Sequence, residues 1–196
     1  MTLESTSLDL LFRKARTYHG WQDRQVSAEQ LEEIYALTKM GPTSTNCCPA
    51  RYTFVMSRDA KERLKEALMA ANVPQTMAAP VTVIMGYDEE FWRDLDDLSP
   101  QNKARTWFEG EDRRDFALQT AKLNATLQHG YFIMAARACG LDCGPMAGFD
   151  AARVDALFFE GTTWRSQILC NIGVGDPSNL YPRAPRLSLE KACQFI

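Results

Sequence analysis

Leu8, Leu11, Phe12 and Ala15 recur at three- and four-residue spacing, which predicts a short amphipathic helix near the start of the chain. Ser27 with Gln30 then forms a capping-box pattern ahead of the apolar stripe Leu31, Ile34 and Tyr35, so a second helix begins there and stops at Gly41-Pro42. Residues 52–56 are short and β-prone. Asp59 with Glu62 predicts the cap of a third helix carrying Leu64, Ala67, Leu68 and Ala71. Pro80 opens the run Val81-Thr82-Val83-Ile84-Met85, whose apolar residues do not alternate cleanly with polar ones, as in a strand covered on both faces. From about Asp112 to Cys139, Phe116, Ala117, Leu123, Leu127, Tyr131, Met134 and Ala138 trace a helix of about seven turns closed by Gly140. So wide an apolar surface must be central or buried in a dimer interface. Asp150 starts a further helix through Val154, Leu157 and Phe158, residues 167–174 make a last strand, and residues 141–150 and 176–186 are loops. No repeat or linker divides the chain, so residues 1–196 form one α+β domain, a sheet flanked by helices.

Composition narrows the class of protein. At 196 residues, 45% hydrophobic and 24% charged, the chain can bury a core without staples. Twenty-two basic against 25 acidic side chains leave a net charge of -3, which excludes a dedicated nucleic-acid binder. Glu4 and Asp9 interrupt any N-terminal apolar stretch and no run of about 18 apolar residues occurs, so a cytoplasmic protein without membrane spans is expected. Six cysteines, with Cys47 and Cys48 adjacent, read as reduced thiols, and Cys139 and Cys143 as small core residues. Only His19 and His129 are present and no Cys-x-x-Cys pair exists, so no metal site is assembled from sequence.

Four segments carry candidate chemistry. Gly41-Pro42-Thr43-Ser44-Thr45-Asn46 sets hydroxyls and an amide just after a helix end, suited to a polar, planar or phosphorylated ligand. Residues 141–150 contain Gly144 and Gly148, which let main-chain amides approach a ligand. Arg183 and Arg186 near one terminus, and Arg16 with Thr17 near the other, together offer a charge-assisted phosphate clamp. No Gly-x-Gly-x-x-Gly, Walker sequence, Gly-x-Ser-x-Gly elbow or nucleophile with a paired base is found. Any reaction is therefore carried by a cofactor.

The ordered set resembles the FMN-dependent nitroreductase family over nearly the whole chain. The family's Pro-Ser-Ser-x-Asn loop is similar to Pro42-Thr43-Ser44-Thr45-Asn46; its Gly-Leu and Pro-x-x-Gly-Phe-Asp motifs to Gly140-Leu141 and Pro145-Met146-Ala147-Gly148-Phe149-Asp150; and its late strand and basic loop to Asn171-Ile172-Gly173 and residues 183–186. Ala15-Arg16-Thr17-Tyr18-His19-Gly20-Trp21, Glu33-Ile34-Tyr35-Ala36-Leu37 and Pro185-Arg186-Leu187-Ser188 look like the malonic semialdehyde reductase subgroup of pyrimidine degradation. The resemblance implies a nitroreductase-like fold with a mainly antiparallel sheet, formed as an intertwined homodimer. It implies FMN at the interface, NADPH or NADH as co-substrate, and reduction of malonic semialdehyde to 3-hydroxypropanoate. Arg16, Thr17, His19, Arg183 and Arg186 would meet the phosphate and ring edge, while Pro42, Thr43, Ser44 and Asn46 would come from the partner. Asn72 would meet the pyrimidine, and the backbone of Pro145, Met146, Ala147 and Gly148 the flavin near N5. No catalytic side chain is implied.

Two departures stand out: Ala15 and His19 occupy positions where the family often has basic residues, and Cys48-Pro49-Ala50 replaces its Gln-Pro-Trp. A broad-range nitro or quinone reductase, a non-catalytic flavin-binding module, and a helical scaffold without cofactor remain open beside the first reading. The acidic stretch 88–97, followed by Trp107-Phe108, is either a solvated helical face or a substrate lid. Arg51 and Arg105 are the candidate partners for a substrate carboxylate.

Overall fold

The computed structural model describes residues 2–196. Four strands, β1 (Ala50–Val55), β2 (Val81–Asp88), β3 (Asp142–Met146) and β4 (Trp164–Gly173), form one antiparallel sheet in the order β1-β2-β4-β3. Thr53, Ile84, Leu169 and Met146 lie in one row across it. Internal β2 is buried along its whole length, which explains its unbroken apolar run. Its side chains alternate between two cores: Val83 and Met85 pack with Ile34, Phe132 and Ile172 on one face, and Ile84 packs with Leu64, Val154 and Leu169 on the other.

The first face is covered by α2 (Ala28–Thr38) and α6 (Arg114–Ala138), the second by α3 (Arg58–Lys65) and α7 (Ala151–Phe158). The capping box of α2 forms as expected: Gln30 N–H donates to Ser27 Oγ and Ser27 N–H to Gln30 Oε1. Ala117, Ala121, Ala125, Gln128, Phe132 and Ala136 set the buried face of α6, and the alanines let it lie close to its neighbours. Phe116, Leu123, Leu127 and Tyr131 line its exposed side.

Several elements differ from expectation. The opening helix is α1 (Ser5–Leu8) running into a wider turn at Asp9–Arg13, and Ala15 lies beyond it. Ser57, not Asp59, caps α3, accepting from Ala60 N–H at 3.2 Å; Asp59 sits in the first turn, where a carboxylate still complements the helix dipole. α3 ends at Lys65, and Leu68 turns away to bridge Phe149. Short helices α4 (Val73–Ala78), α5 (Leu95–Leu98) and α8 (Leu189–Ala192) complete the set.

The largest correction is β3, where Gly144-Pro145 conceals a strand inside a supposed loop. Pro145 is exposed at the outer side of the sheet, a place where its missing N–H costs no ladder bond. Segment 17–22 runs from this strand to the end of β4: Tyr18 N–H donates to Cys143 O at 3.1 Å and Gln22 N–H to Val174 O at 2.8 Å. Glycine makes that approach possible. A Cβ on Gly144 would stand 2.4 Å from Tyr18 O, and one on Gly175 2.1 Å from the Tyr18 ring.

Residues 181–196 form an arm exposed along its length, carrying Tyr181, Leu187, Leu189, Phe195 and Ile196 outward. Among the described residues no helix is long and apolar enough to cross a membrane.

Candidate active site

Segment 15–19, the end of α6 and the root of the C-terminal arm enclose a cleft of about 240 Å³. Arg16, Arg137, Arg183 and Arg186 line it with Thr17, His19 and Tyr181, and no carboxylate of the described residues does. Main-chain carbonyls hold these arginines in place. Arg183 donates to Arg13 O at 2.9 Å and Ala15 O at 2.8 Å, Arg137 to Leu11 O at 3.0 Å, Arg186 to Ala184 O at 2.8 Å, and Arg16 to Tyr181 O. None of the four forms an ion pair among the described residues, whereas Arg51, Arg105 and Arg153 all do. Converging guanidinium groups left unneutralised make an anion site.

From His19 a polar line leads away from the cleft. Its Nδ1 meets Gln75 Oε1, Gln75 Nε2 donates to Asn72 Oδ1 at 2.7 Å, and Asn72 Nδ2 donates to Gly148 O at 2.8 Å. Trp21 Nε1–H fixes the backbone of Gln75 at 3.1 Å. A Cβ on Gly148 would lie 2.5 Å from Asn72 Nδ2, so only glycine leaves room for this contact. The line thus joins the expected residues Arg16, Thr17, His19, Arg183 and Arg186 to Asn72 and the segment Pro145, Met146, Ala147 and Gly148. Buried Lys61 locks the helix that carries it, donating to Thr76 O at 3.0 Å and to Ala79 O; burial pulls its ammonium down to about 8.

Pro42, Thr43, Ser44 and Asn46 lie elsewhere. Gly41 packs beneath the Tyr131 ring, Ser44 N–H donates to Asn124 Oδ1 at 2.8 Å, and Asn46 Nδ2 donates to Leu98 O at 2.8 Å. Thr45, Asn46 and Cys48 all have positive φ, at 51°, 56° and 38°, a concentration of left-handed backbone that marks a tightly determined loop. α6 carries both the Asn124 that holds this loop and the Arg137 that lines the cleft. Those residues are thirteen apart, hence about 20 Å along the helix. One chain does not bring the two halves together.

Burial pushes the Cys47 thiol up to about 11, so it stays protonated and is no nucleophile. Arg51 is held by Asp88 at 2.9 Å and Asp94 at 3.0 Å, and Arg105 by Asp96 and Glu109. Neither is a free cation for a substrate. In the acidic excursion, Phe91 and Leu95 are buried with Phe108 and Ala117, while Asp94, Asp96 and Asp97 face solvent and Asp88 is buried against Arg51. Sequence reasoning missed Gln75 and Arg137. Gln75 was detectable as the residue one helical turn after Asn72; Arg137 gave no local signal. All six cysteines are free, and among the described residues no three His, Cys, Asp or Glu gather as a metal group.

Beside the β3 edge of the antiparallel sheet the chain thus carries a cationic cleft with the chemistry of an anion site. The chain belongs to the nitroreductase family, whose sequence model matches residues 13–176. It is 54% identical, over 95% of its length and 96% of the relative's, to HadB of Ralstonia pickettii, and 52% identical, over 96% of each, to a protein of Cupriavidus pinatubonensis. Both are named for NADH dehydrogenase/NAD(P)H nitroreductase activity. The fold is similar to that of ydfN from Bacillus subtilis, named as a nitroreductase (TM-score 0.86, 22% identity, 98% of this chain and 100% of that one). It is also similar to a nitroreductase of Exiguobacterium sibiricum in complex with FMN (TM-score 0.82, 16% identity, 100% and 99% covered).

Proposed function

We propose that this chain is a flavin-dependent NAD(P)H oxidoreductase working as a cytoplasmic homodimer. The carrying observation is the cleft where Arg16, Arg137, Arg183 and Arg186 converge with no carboxylate in a chain of net charge -3. Its chemistry fits the phosphate of FMN, and the line from His19 through Gln75 and Asn72 to Gly148 offers amides and a bare backbone to a planar ring system. FMN, when bound, supplies what no side chain here does, accepting hydride from NADPH or NADH and passing it to an oxidised substrate.

The protein's own part is to bind and orient. Arg16, Thr17, His19, Arg183 and Arg186 hold the phosphate end, Asn72 meets the pyrimidine, and Pro145, Met146, Ala147 and Gly148 border the ring. Pro42, Thr43, Ser44 and Asn46 come from the second copy, which the separation of about 20 Å along α6 supports. The exposed arm and the apolar side of α6 also suit an intertwined dimer.

Malonic semialdehyde, reduced to 3-hydroxypropanoate in pyrimidine degradation, is the substrate to which the sequence likeness points. The neutralisation of Arg51 and Arg105 favours a second reading, a nitro or quinone reductase that needs no carboxylate partner. Anaerobic stopped-flow mixing of the FMN-loaded protein with NADPH or NADH, then with each oxidant, decides. Reduction followed by rapid reoxidation with malonic semialdehyde supports the first substrate. Reoxidation by nitroaromatics or quinones alone supports the second, and flavin reduced by neither nicotinamide overturns the enzymatic reading.

A further inference from the structure

His19 stands at one end of a hydrogen-bonded line whose other end is a main-chain carbonyl, and a carbonyl can only accept. The atom facing Gly148 O at 2.8 Å is therefore the amide nitrogen of Asn72. Asn72 then presents Oδ1 inward, and that oxygen needs a donor, which is Gln75 Nε2 at 2.7 Å. The same nitrogen lies 3.9 Å from Met146 Sδ, a weak acceptor that favours the same orientation of the amide. Gln75 has only Oε1 left to offer His19, and the ring atom that meets it is Nδ1. An amide oxygen carries no proton, so the proton must be on the imidazole.

We infer that the Gly148 carbonyl, acting through Asn72 and Gln75, holds neutral His19 as the Nδ1–H tautomer and leaves Nε2, with its lone pair, as the ring nitrogen free for the cleft. Gln75 is thus a positioning residue: it acts through His19. The consequence for recognition is specific. Arg16, Arg137, Arg183 and Arg186 are donors only, and the Tyr181 ring packs T-shaped with that of His19, centroids 5.7 Å apart. Neutral His19 adds an acceptor at the rim of this donor-rich cleft. The ligand class this fits is an anion bearing a hydroxyl or N–H donor beside it, as a phosphorylated sugar alcohol does. Naming that ligand FMN rests on the function proposed above; the tautomer does not.

The chain contains only two histidines, His19 and His129, so the test is direct. Flavin-free, ¹⁵N-histidine-labelled protein is examined by long-range ¹H–¹⁵N correlation at about pH 9, above the imidazole range. Wild type should show His19 as Nδ1–H. Gln75→Leu should return it to the Nε2–H form that predominates in unrestrained imidazole, while Gln75→Glu, which keeps an acceptor, should retain Nδ1–H. Asn72→Ala does not touch the ring, yet it should mix the tautomers because Gln75 loses the partner that orients it. An unchanged signal from buried His129 shows that each variant is folded. Nε2–H in wild type, or undiminished Nδ1–H in Asn72→Ala, overturns the inference.

A parallel FMN fluorescence titration should show about fivefold weaker binding by Gln75→Leu, the loss of one neutral hydrogen bond. Unchanged affinity despite a switched tautomer removes His19 Nε2 from ligand recognition. Wild type that binds no FMN fails the proposed function but leaves the tautomer result standing; Nε2–H in wild type that binds FMN fails the relay alone.

Discussion

His129 makes the stability of this fold depend on pH in a calculable way. It sits on the buried face of α6 at 1% exposure, its ring T-shaped to that of Tyr52 with centroids 5.6 Å apart, and neither ring nitrogen has a hydrogen-bond partner among the described residues. Burial pulls its pKa down to about 4, with the Gln167 amide acting in the opposite direction. The unfolded chain takes up this proton near 6.5 and the folded chain only near 4, so between those values the unfolded state binds more protons. His129's contribution is fully present above about pH 6.5 and declines as acid is added. At about 1.36 kcal/mol per pH unit the complete loss is about 3 kcal/mol, of which about 2 kcal/mol is gone by pH 5. Carboxylates titrate in the same region, so the measurement is a difference. Urea denaturation of wild type and His129→Leu, at one protein concentration and at pH 7.5 and 5.0, should show wild type losing about 2 kcal/mol more than the variant. Equal losses would refute the buried neutral imidazole.

Arg186→Ala should raise the FMN dissociation constant by roughly 10- to 150-fold, the worth of a charge-assisted contact, and unchanged affinity in a fluorescence titration would remove Arg186 from the clamp. Gly144→Ala drives a methyl to 2.4 Å from the Tyr18 carbonyl and should cost roughly 1–3 kcal/mol in urea unfolding. A null effect would mean that segment 17–22 does not lie against β3 in solution. Mixed dimers of an Arg186→Ala chain and an Asn46→Ala chain should recover one intact flavin site per dimer. Recovery no greater than in either homodimer would place both residues in the same subunit's site.

How legible each element was depends on where its determinants lie. α2 was readable to its cap because Ser27, Gln30 and the Leu31–Ile34 stripe are all within one turn or two of each other. Long α6 was readable because its period runs for 25 residues, but the period did not say which face is covered: Ala117, Ala121 and Ala125 are buried while Leu123, Leu127 and Tyr131 are exposed. β3 was not readable: Gly144 and Pro145 are turn residues by local preference, and only the approach of Tyr18, 126 positions earlier in the chain, makes glycine necessary there. Ser57 was not legible as the cap because Asp59, two residues on, has equally suitable chemistry and only the backbone conformation separates the two.

The candidate site divides in the same way. Arg16, Thr17, Arg183 and Arg186 were found from the residues as a candidate clamp and His19 through the family resemblance, and the fold brings them to one cleft. Arg137 and Gln75 were invisible because the duty of each lies between elements distant in sequence: Arg137 bonds to Leu11 O across 126 positions and Gln75 meets His19 across 56. A backbone acceptor such as Gly148 O is harder still to foresee, since every residue has one and only geometry says which is used. What a motif can convey is which side chains are spare. It cannot convey how far apart a helix will hold them, and α6, by keeping Asn124 and Arg137 about 20 Å apart, prevents one chain from making a compact site of these parts.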